Sequence, residues 1–175
     1  MPFDLQPTLQ GELLTLRPLR PEDWEALYAG ASDPLIGEQH PASDRYKEDV
    51  FRAFFRDALA SGGAFVVLDA KDGTIIGSSR FFGYNEAASE IEIGWTFLAR
   101  AYWGGRYNRE MKQLMLRHAF QFVERVVFLV GPQNLRSQRA MEKIGGVRAG
   151  TRLDATGRES VVYEITAASM LPSPR

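Results

Sequence analysis

The 175-residue chain contains no cysteine. That excludes disulfides, thiolate metal sites, a cysteine nucleophile and any mechanism that parks a group on an enzyme thiol. Histidine is nearly absent too: His40 and His118 stand far apart, so no zinc-binding spacing can be assembled and no metal is expected. No lysine-rich or arginine-rich block occurs, and 21 basic against 22 acidic residues leave a net charge of −1. That balance provides no electrostatic footprint for nucleic acid or for an anionic membrane surface. No apolar run reaches the length of a bilayer span, and residues 1–10 lack the basic-then-apolar order of an export signal, so the cytoplasm is the expected location. What is present, 45% hydrophobic and 25% charged residues, fits one soluble globular domain over residues 1–175.

Hydrophobic periodicity orders the chain. Leu13 to Leu19 alternates and is leucine-rich, the pattern of a strand. Pro21-Glu22-Asp23 has the make-up of a helix first turn, with Trp24, Leu27 and Tyr28 following at helical spacing. Ser32 to Arg45 is dense in breakers and reads as an exposed loop of the kind that sets specificity. From Tyr46, the positions Val50, Phe51, Phe54, Ala58 and Leu59 share one helical face, which Ser61-Gly62-Gly63 ends. Ala64 to Leu68 and Thr74 to Tyr84, joined by a turn ending in Asp72-Gly73, read as a hairpin, and Glu90 to Leu98 as the next strand.

Period-two alternation along that strand places Glu90, Glu92, Gly94 and Thr96 on one face and Ile91, Ile93, Trp95 and Phe97 on the other. A helix beginning near Tyr107 carries Met111, Leu114, Met115, His118 and Phe122 on one stripe, with Arg109, Lys112, Gln113 and Arg117 largely off it. His118 on that stripe reads as a satisfied buried residue and His40 as an exposed loop residue. Val126 to Val130 is a buried strand, Asn134 caps a helix carrying Ala140, Met141 and Ile144, and Gly145-Gly146 ends it. Val147 to Leu153 and Ser160 to Thr166 form a final hairpin, and the tail from Ala167 is expected to fray.

Between the strand and the helix of the middle segment lies Arg-Ala-Tyr-Trp-Gly-Gly-Arg-Tyr-Asn, Arg100 to Asn108. A glycine pair at a strand-to-helix turn lets backbone N–H groups converge at the positive end of a helix, where they bind phosphate. Trp103, Gly104, Gly105, Arg106, Tyr107 and Asn108 can offer such donors to a diphosphate, and Arg106 or Arg109 adds charge.

The element order, with EIGWTFLARAYWGGRYNREMKQLML (Glu92 to Leu116) and NLRSQRAMEKIGGV (Asn134 to Val147), resembles the GNAT N-acetyltransferase superfamily, in the branch similar to ribosomal-protein N-terminal (alanine/serine) acetyltransferases. The resemblance runs from about Leu13 to Thr166 and implies an α+β, αβα-layered fold: a mixed, mostly antiparallel sheet of about six to seven strands with helices on both faces. It implies acetyl-coenzyme A as the acetyl donor, a small-molecule or peptide amine as acceptor, and the pairing into homodimers often found in the family. It implies further that Phe97 and Leu98 meet the pantetheine through their main chain, that Asn134 binds the pantetheine arm, and that Ser137 lies near the sulfur as general acid. Glu92 or Glu90 would deprotonate the amine, directly or through water, and transfer would be direct, in a ternary complex.

Departures from the family pattern stand beside these matches. The second small residue of the usual Gly-x-Gly loop is Arg106; the tyrosine acid of the wider superfamily aligns with Met141, which has no proton to give; and the usual Gly-Phe after the last helix is Gly145-Gly146. A fold that binds an acyl-coenzyme A without transferring the acyl group is therefore the alternative. Glu90 and Glu92 read equally well as a solvated strand face, and Asn134 as a helix cap alone. A Rossmann or P-loop protein is disfavoured, since Gly-x-Gly-x-x-Gly and Gly-Lys-Ser/Thr are both missing.

Overall fold

A computed structural model describes residues 3–31, 47–154 and 156–169. The elements, in chain order, are β1 (Leu9–Gln10), β2 (Leu14–Pro18), α1 (Trp24–Ala31), α2 (Glu48–Ser61), β3 (Ala64–Asp69), β4 (Ile75–Asn85), β5 (Glu90–Leu98), α3 (Arg106–Ala119), β6 (Arg125–Val130), α4 (Leu135–Lys143), β7 (Val147–Leu153) and β8 (Glu159–Thr166). Single 3-10 turns at Pro21–Asp23 and Arg100–Tyr102 precede α1 and α3. The specificity loop expected at Ser32 to Arg45, with His40, lies outside the described residues. So does the tail beyond residue 169; before that point Ala167 is tied by its N–H to the Glu124 carbonyl.

One eight-stranded sheet runs β1-β2-β3-β4-β5-β6-β8-β7. Its single parallel pair is β5 with β6, joined by the α3 crossover, and the other neighbours are antiparallel. The strand beyond the seven read from the sequence is β1, two residues at the sheet edge that are too short to show alternation. At the opposite edge β7 is exposed along its whole length, and Arg148 and Arg152 interrupt its apolar residues as edge strands require.

The two faces of the sheet carry separate cores. On one, Leu14, Leu16, Ile91, Ile93 and Leu98 pack with Met111 and Met115 of α3 and Met141 of α4. On the other, Phe51, Phe55 and Ala58 of α2 and Leu27 of α1 pack against Val66 and Phe97. Each fully buried leucine or phenylalanine contributes about 1.5–3 kcal/mol, so the layers are held by burial rather than by surface charge. His118 is buried as expected: Nε2 lies 2.7 Å from the Asp4 carbonyl oxygen, and the Phe3, Phe81 and Phe122 rings surround it.

The strict alternation expected for β5 does not survive. Trp95 has φ +53°, and the register against β4 shifts between Ser78 and Arg80, which pair with Phe97 and Gly94. That is a β-bulge, and one extra residue moves every later side chain to the opposite face. Thr96 therefore joins Ile91, Ile93 and Leu98 on the α3 side, whereas Trp95 and Phe97 join Glu92 and Gly94 on the α1/α2 side.

Candidate active site

Parallel pairing between β5 and β6 is confined to Glu90, Ile91 and Glu92, opposite Arg125, Val126 and Val127. Beyond Glu92 the strands part. A cleft of about 500 Å³ fills the gap between residues 93–98 and 128–131, bounded by the Gly104-Gly105 loop on one side and α4 on the other.

At the loop, Gly104 (φ +119°) and Gly105 (φ +102°) occupy left-handed backbone that other residues adopt only under strain. No atom lies within 4 Å of where either Cβ would stand, so glycine is needed here for its dihedrals and not for space. Gly105 is the N-cap of α3 and no side chain caps it, which leaves the first-turn N–H groups of Arg106, Tyr107 and Asn108 open at the positive end of the helix. Gly104, Gly105 and Asn108 line the cleft; the Arg106 side chain is exposed, and Tyr107 turns inward to stack edge-on with Tyr102 at 5.0 Å.

Trp103 crosses the mouth of the cleft. Its Nε1 donates to the Leu98 carbonyl at 2.8 Å, and the Arg136 guanidinium of α4 lies 4.1 Å from its ring centre. Ala99 N–H bonds to Ile76 O, so alternation along the ladder directs the Phe97 peptide to β4 and turns the Leu98 N–H towards the cleft. Leu98 thus has its acceptor engaged by Trp103 and its donor facing the gap. On the far wall Asn134 caps α4, its Oδ1 accepting from Ser137 N–H at 3.3 Å. Ser137 and Met141 line the cleft one turn apart.

Glu90 and Glu92 share a face of β5 in different environments. Arg152 donates two hydrogen bonds to Glu90, at 2.9 and 3.0 Å, and holds its carboxyl below the usual range. Burial pushes the Glu92 carboxyl the other way, up to about 7, against the opposing charges of Arg152 and Arg80. Glu92 lies over Gly94, which lines the cleft: a methyl group there would stand 3.1 Å from Glu92 Oε2.

Three side chains that the sequence reading did not assign to the site shape the same region, among them Lys112, which it placed largely off the buried stripe of α3 and which is buried. Lys112 lines the cleft at 3% exposure, its Nζ donating to Thr96 Oγ1 (3.2 Å) and Asn108 Oδ1 (3.4 Å), and burial lowers its pKa to about 7. Its i+4 relation to Asn108, beside the Gly104-Gly105 turn, was the available signal. Arg80 of β4 is 5% exposed and lies over the rings of Trp95 (4.4 Å) and Phe54 (5.6 Å). Glu110 accepts backbone N–H bonds from Glu12 (3.1 Å), Leu13 (2.8 Å) and Leu14 (2.9 Å), tying α3 to the start of β2.

A mixed sheet opened between its two parallel strands, with an uncapped glycine-entered helix at the opening, defines a fold class suited to holding an extended ligand with an anionic end. The model of the acetyltransferase (GNAT) domain matches residues 14–147, and the chain belongs to the GNAT acetyltransferase family. It is an enzyme of the N-acetyltransferase class. A relative, the uncharacterized N-acetyltransferase YnaD of Bacillus subtilis, is 28% identical over 139 residues, covering 78% of this chain and 81% of its own. In fold the chain resembles a GCN5-related N-acetyltransferase from Brucella melitensis (TM-score 0.84, 19% identity, 96% and 82% of the two chains covered). It also resembles RimJ of Mycobacterium smegmatis in complex with CoA-disulfide (TM-score 0.71, 20% identity, 95% and 90% covered).

Proposed function

We propose that the protein moves an acetyl group from acetyl-coenzyme A to a primary amine by direct transfer within a ternary complex. The observation that carries this reading is the parting of β5 and β6 immediately after Glu92, beside the open α3 N-terminus. The residues present fit coenzyme A: open N–H donors at Arg106 to Asn108 suit a diphosphate, and a cleft edged by a free strand suits an extended amide-bearing arm. RimJ, a protein of the same fold, carries a coenzyme A disulfide in its structure.

When bound, the donor supplies an acyl thioester. The chain's residues do the rest. Glu92, raised to about 7 and packed on Gly94, accepts the proton of the incoming amine. Glu90, held ionised by Arg152, is a weaker base and serves to anchor β7 to β5. The Leu98 N–H is the donor best placed for charge developing on the thioester oxygen, and Trp103 restrains that peptide through the Leu98 carbonyl. The Ser137 hydroxyl, on the cleft wall beside Met141, meets the departing sulfur. Asn134 positions that serine by capping its helix.

Calorimetry with acetyl-coenzyme A, followed by thiol release with a panel of amines, tests the reading. Binding with release on at least one amine is expected. Binding without release on any amine would favour an acyl-coenzyme A-binding module, and no binding would refute both.

A further inference from the structure

Arg80 is out of place for a structural residue. A guanidinium has five N–H donors and is strongly disfavoured in a buried position without a partner. Here it is 5% exposed, its Nε is buried with no hydrogen-bond partner, and no carboxylate among the described residues lies within ion-pair distance. Asp57 and Glu92 act on it only from farther away. Two aromatic contacts, Trp95 at 4.4 Å and Phe54 at 5.6 Å, hold it instead. Ring faces stabilise the plane of a guanidinium and leave its edge, where the N–H groups point, unused.

The position of Arg80 tells what that edge is for. Arg80 pairs with Gly94 and Phe82 with Glu92, so Arg80 and Glu92 are diagonal neighbours on one face of the sheet, about 7–8 Å apart at that spacing. Gly94 and Trp95, the residues Arg80 pairs with and packs on, both line the cleft. Neither Arg80 nor Glu92 lines the cleft itself, but the two flank Gly94, which does, so a small molecule lying across Gly94 would have a carboxyl beside one end and a planar cation beside the other.

We propose that Arg80 is a carboxylate receptor on the acceptor side, and that the acceptor is a small amine bearing a carboxylate a few bonds away, of the amino-acid class. The inference rests on Glu92 being the residue that receives the amine. A fork of parallel N–H groups matches a carboxylate, pairing two donors with two oxygens. A free amino acid offers that group next to its amine; the N-terminus of a protein has an uncharged amide in its place and would leave Arg80 unpaired.

The test compares free amino acids with their amides and with dipeptides as acceptors, measured as coenzyme A thiol release. For the wild type, kcat/KM should favour the carboxylates by roughly 10–100-fold, the usual worth of hydrogen bonds to a charged group. Arg80→Met, which keeps an unbranched stem between the two rings, and Arg80→Gln should lose that preference; compared well above pH 7, where Glu92 is ionised with or without the Arg80 charge, they should leave the amides within about two-fold. Equal or better use of amides or dipeptides by the wild type, or an equal loss on both acceptor types in the variants, would overturn the proposal. A second measurement does not depend on transfer. Calorimetric titration with N-acetyl amino acids and their amides, coenzyme A present, should show carboxylate-dependent binding that Arg80→Met abolishes. If the wild type binds acid and amide alike, the proposal fails even if acetyl transfer is confirmed; if Arg80-dependent carboxylate binding occurs without transfer, the receptor stands and the acetyltransferase mechanism is what fails.

Discussion

Two neighbouring carboxylates and a buried lysine show how far identical side chains can be driven apart by surroundings. Glu92, raised to about 7 by burial, is poised to exchange a proton at neutral pH, whereas Glu90 is held ionised by Arg152. A base must be deprotonated to act, so the transfer rate should rise with pH through about 7 and level off above it. Glu92→Gln should remove that dependence and lower the rate by about 10²–10⁴-fold; an unchanged pH–rate profile would exclude Glu92 as the base. Glu90→Gln should retain the profile and show its effect in stability, through the lost Arg152 contact.

Lys112 is displaced in the opposite sense, its folded pKa falling to about 7 from an ordinary value near 10.4. Between those two values the unfolded chain binds the extra proton, so stability should rise as pH increases from about 7 towards 10. Lys112→Met has no such proton and should lack that rise in chemical denaturation measured across the range. If wild type and variant follow parallel curves, the lysine is not buried in the manner described.

At the scale of elements, α3 is placed by its N-terminal half. Its entry is set by Gly104 and Gly105 in left-handed backbone, and Glu110, at the start of its second turn, fastens it to the strand layer. A carboxylate accepting three backbone N–H groups is worth several times a neutral contact, so Glu110→Ala should cost about 3 kcal/mol in denaturant unfolding. Gly11→Ala should destabilise through the same contact, since a Cβ there would stand 2.5 Å from Glu110 Oε2. If the two losses add in full in the double variant, they do not act through one contact. The glycine-entered turn before α3, Glu90 to Leu98 as a strand, the α4 cap at Asn134 and the β7–β8 hairpin were all legible in the sequence because each rests on local chemistry: glycine dihedrals, β-rich runs between turn residues, an Asn side chain within reach of its own helix start. The Glu110 clamp was not legible, because its partners lie 96 to 98 residues away.

At the scale of the molecule, the parting of β5 from β6 is the feature on which the cleft depends, and its edges are backbone groups without strand partners. Coenzyme A binding should therefore slow hydrogen exchange in residues 93–98 and 104–108 while leaving β2 and β3, remote from the cleft, unchanged. Uniform slowing over the whole sheet would point to global stabilisation and not to an occupant between these strands.

By itself the sequence determined the layers and their order. Hydrophobic period, turn residues and caps act over a few residues, and they dictated which segments become strands and helices. It also determined the chemistry that is excluded, since a chain without cysteine cannot hold the acetyl group on a thiol. Tertiary structure alone decided which charged residues matter. The bulge at Trp95 reverses the facing of everything after it, sending Thr96 to Lys112 and Trp95 to Arg80, and no local pattern announces a bulge. Glu90 and Glu92 are equivalent on an alternating strand; the deeper burial of Glu92 and the hydrogen bonds that Arg152, 62 residues away, gives to Glu90 separate them. Burial and pairing between distant segments set the electrostatics of this site, because a charge's energy depends on what the fold brings next to it.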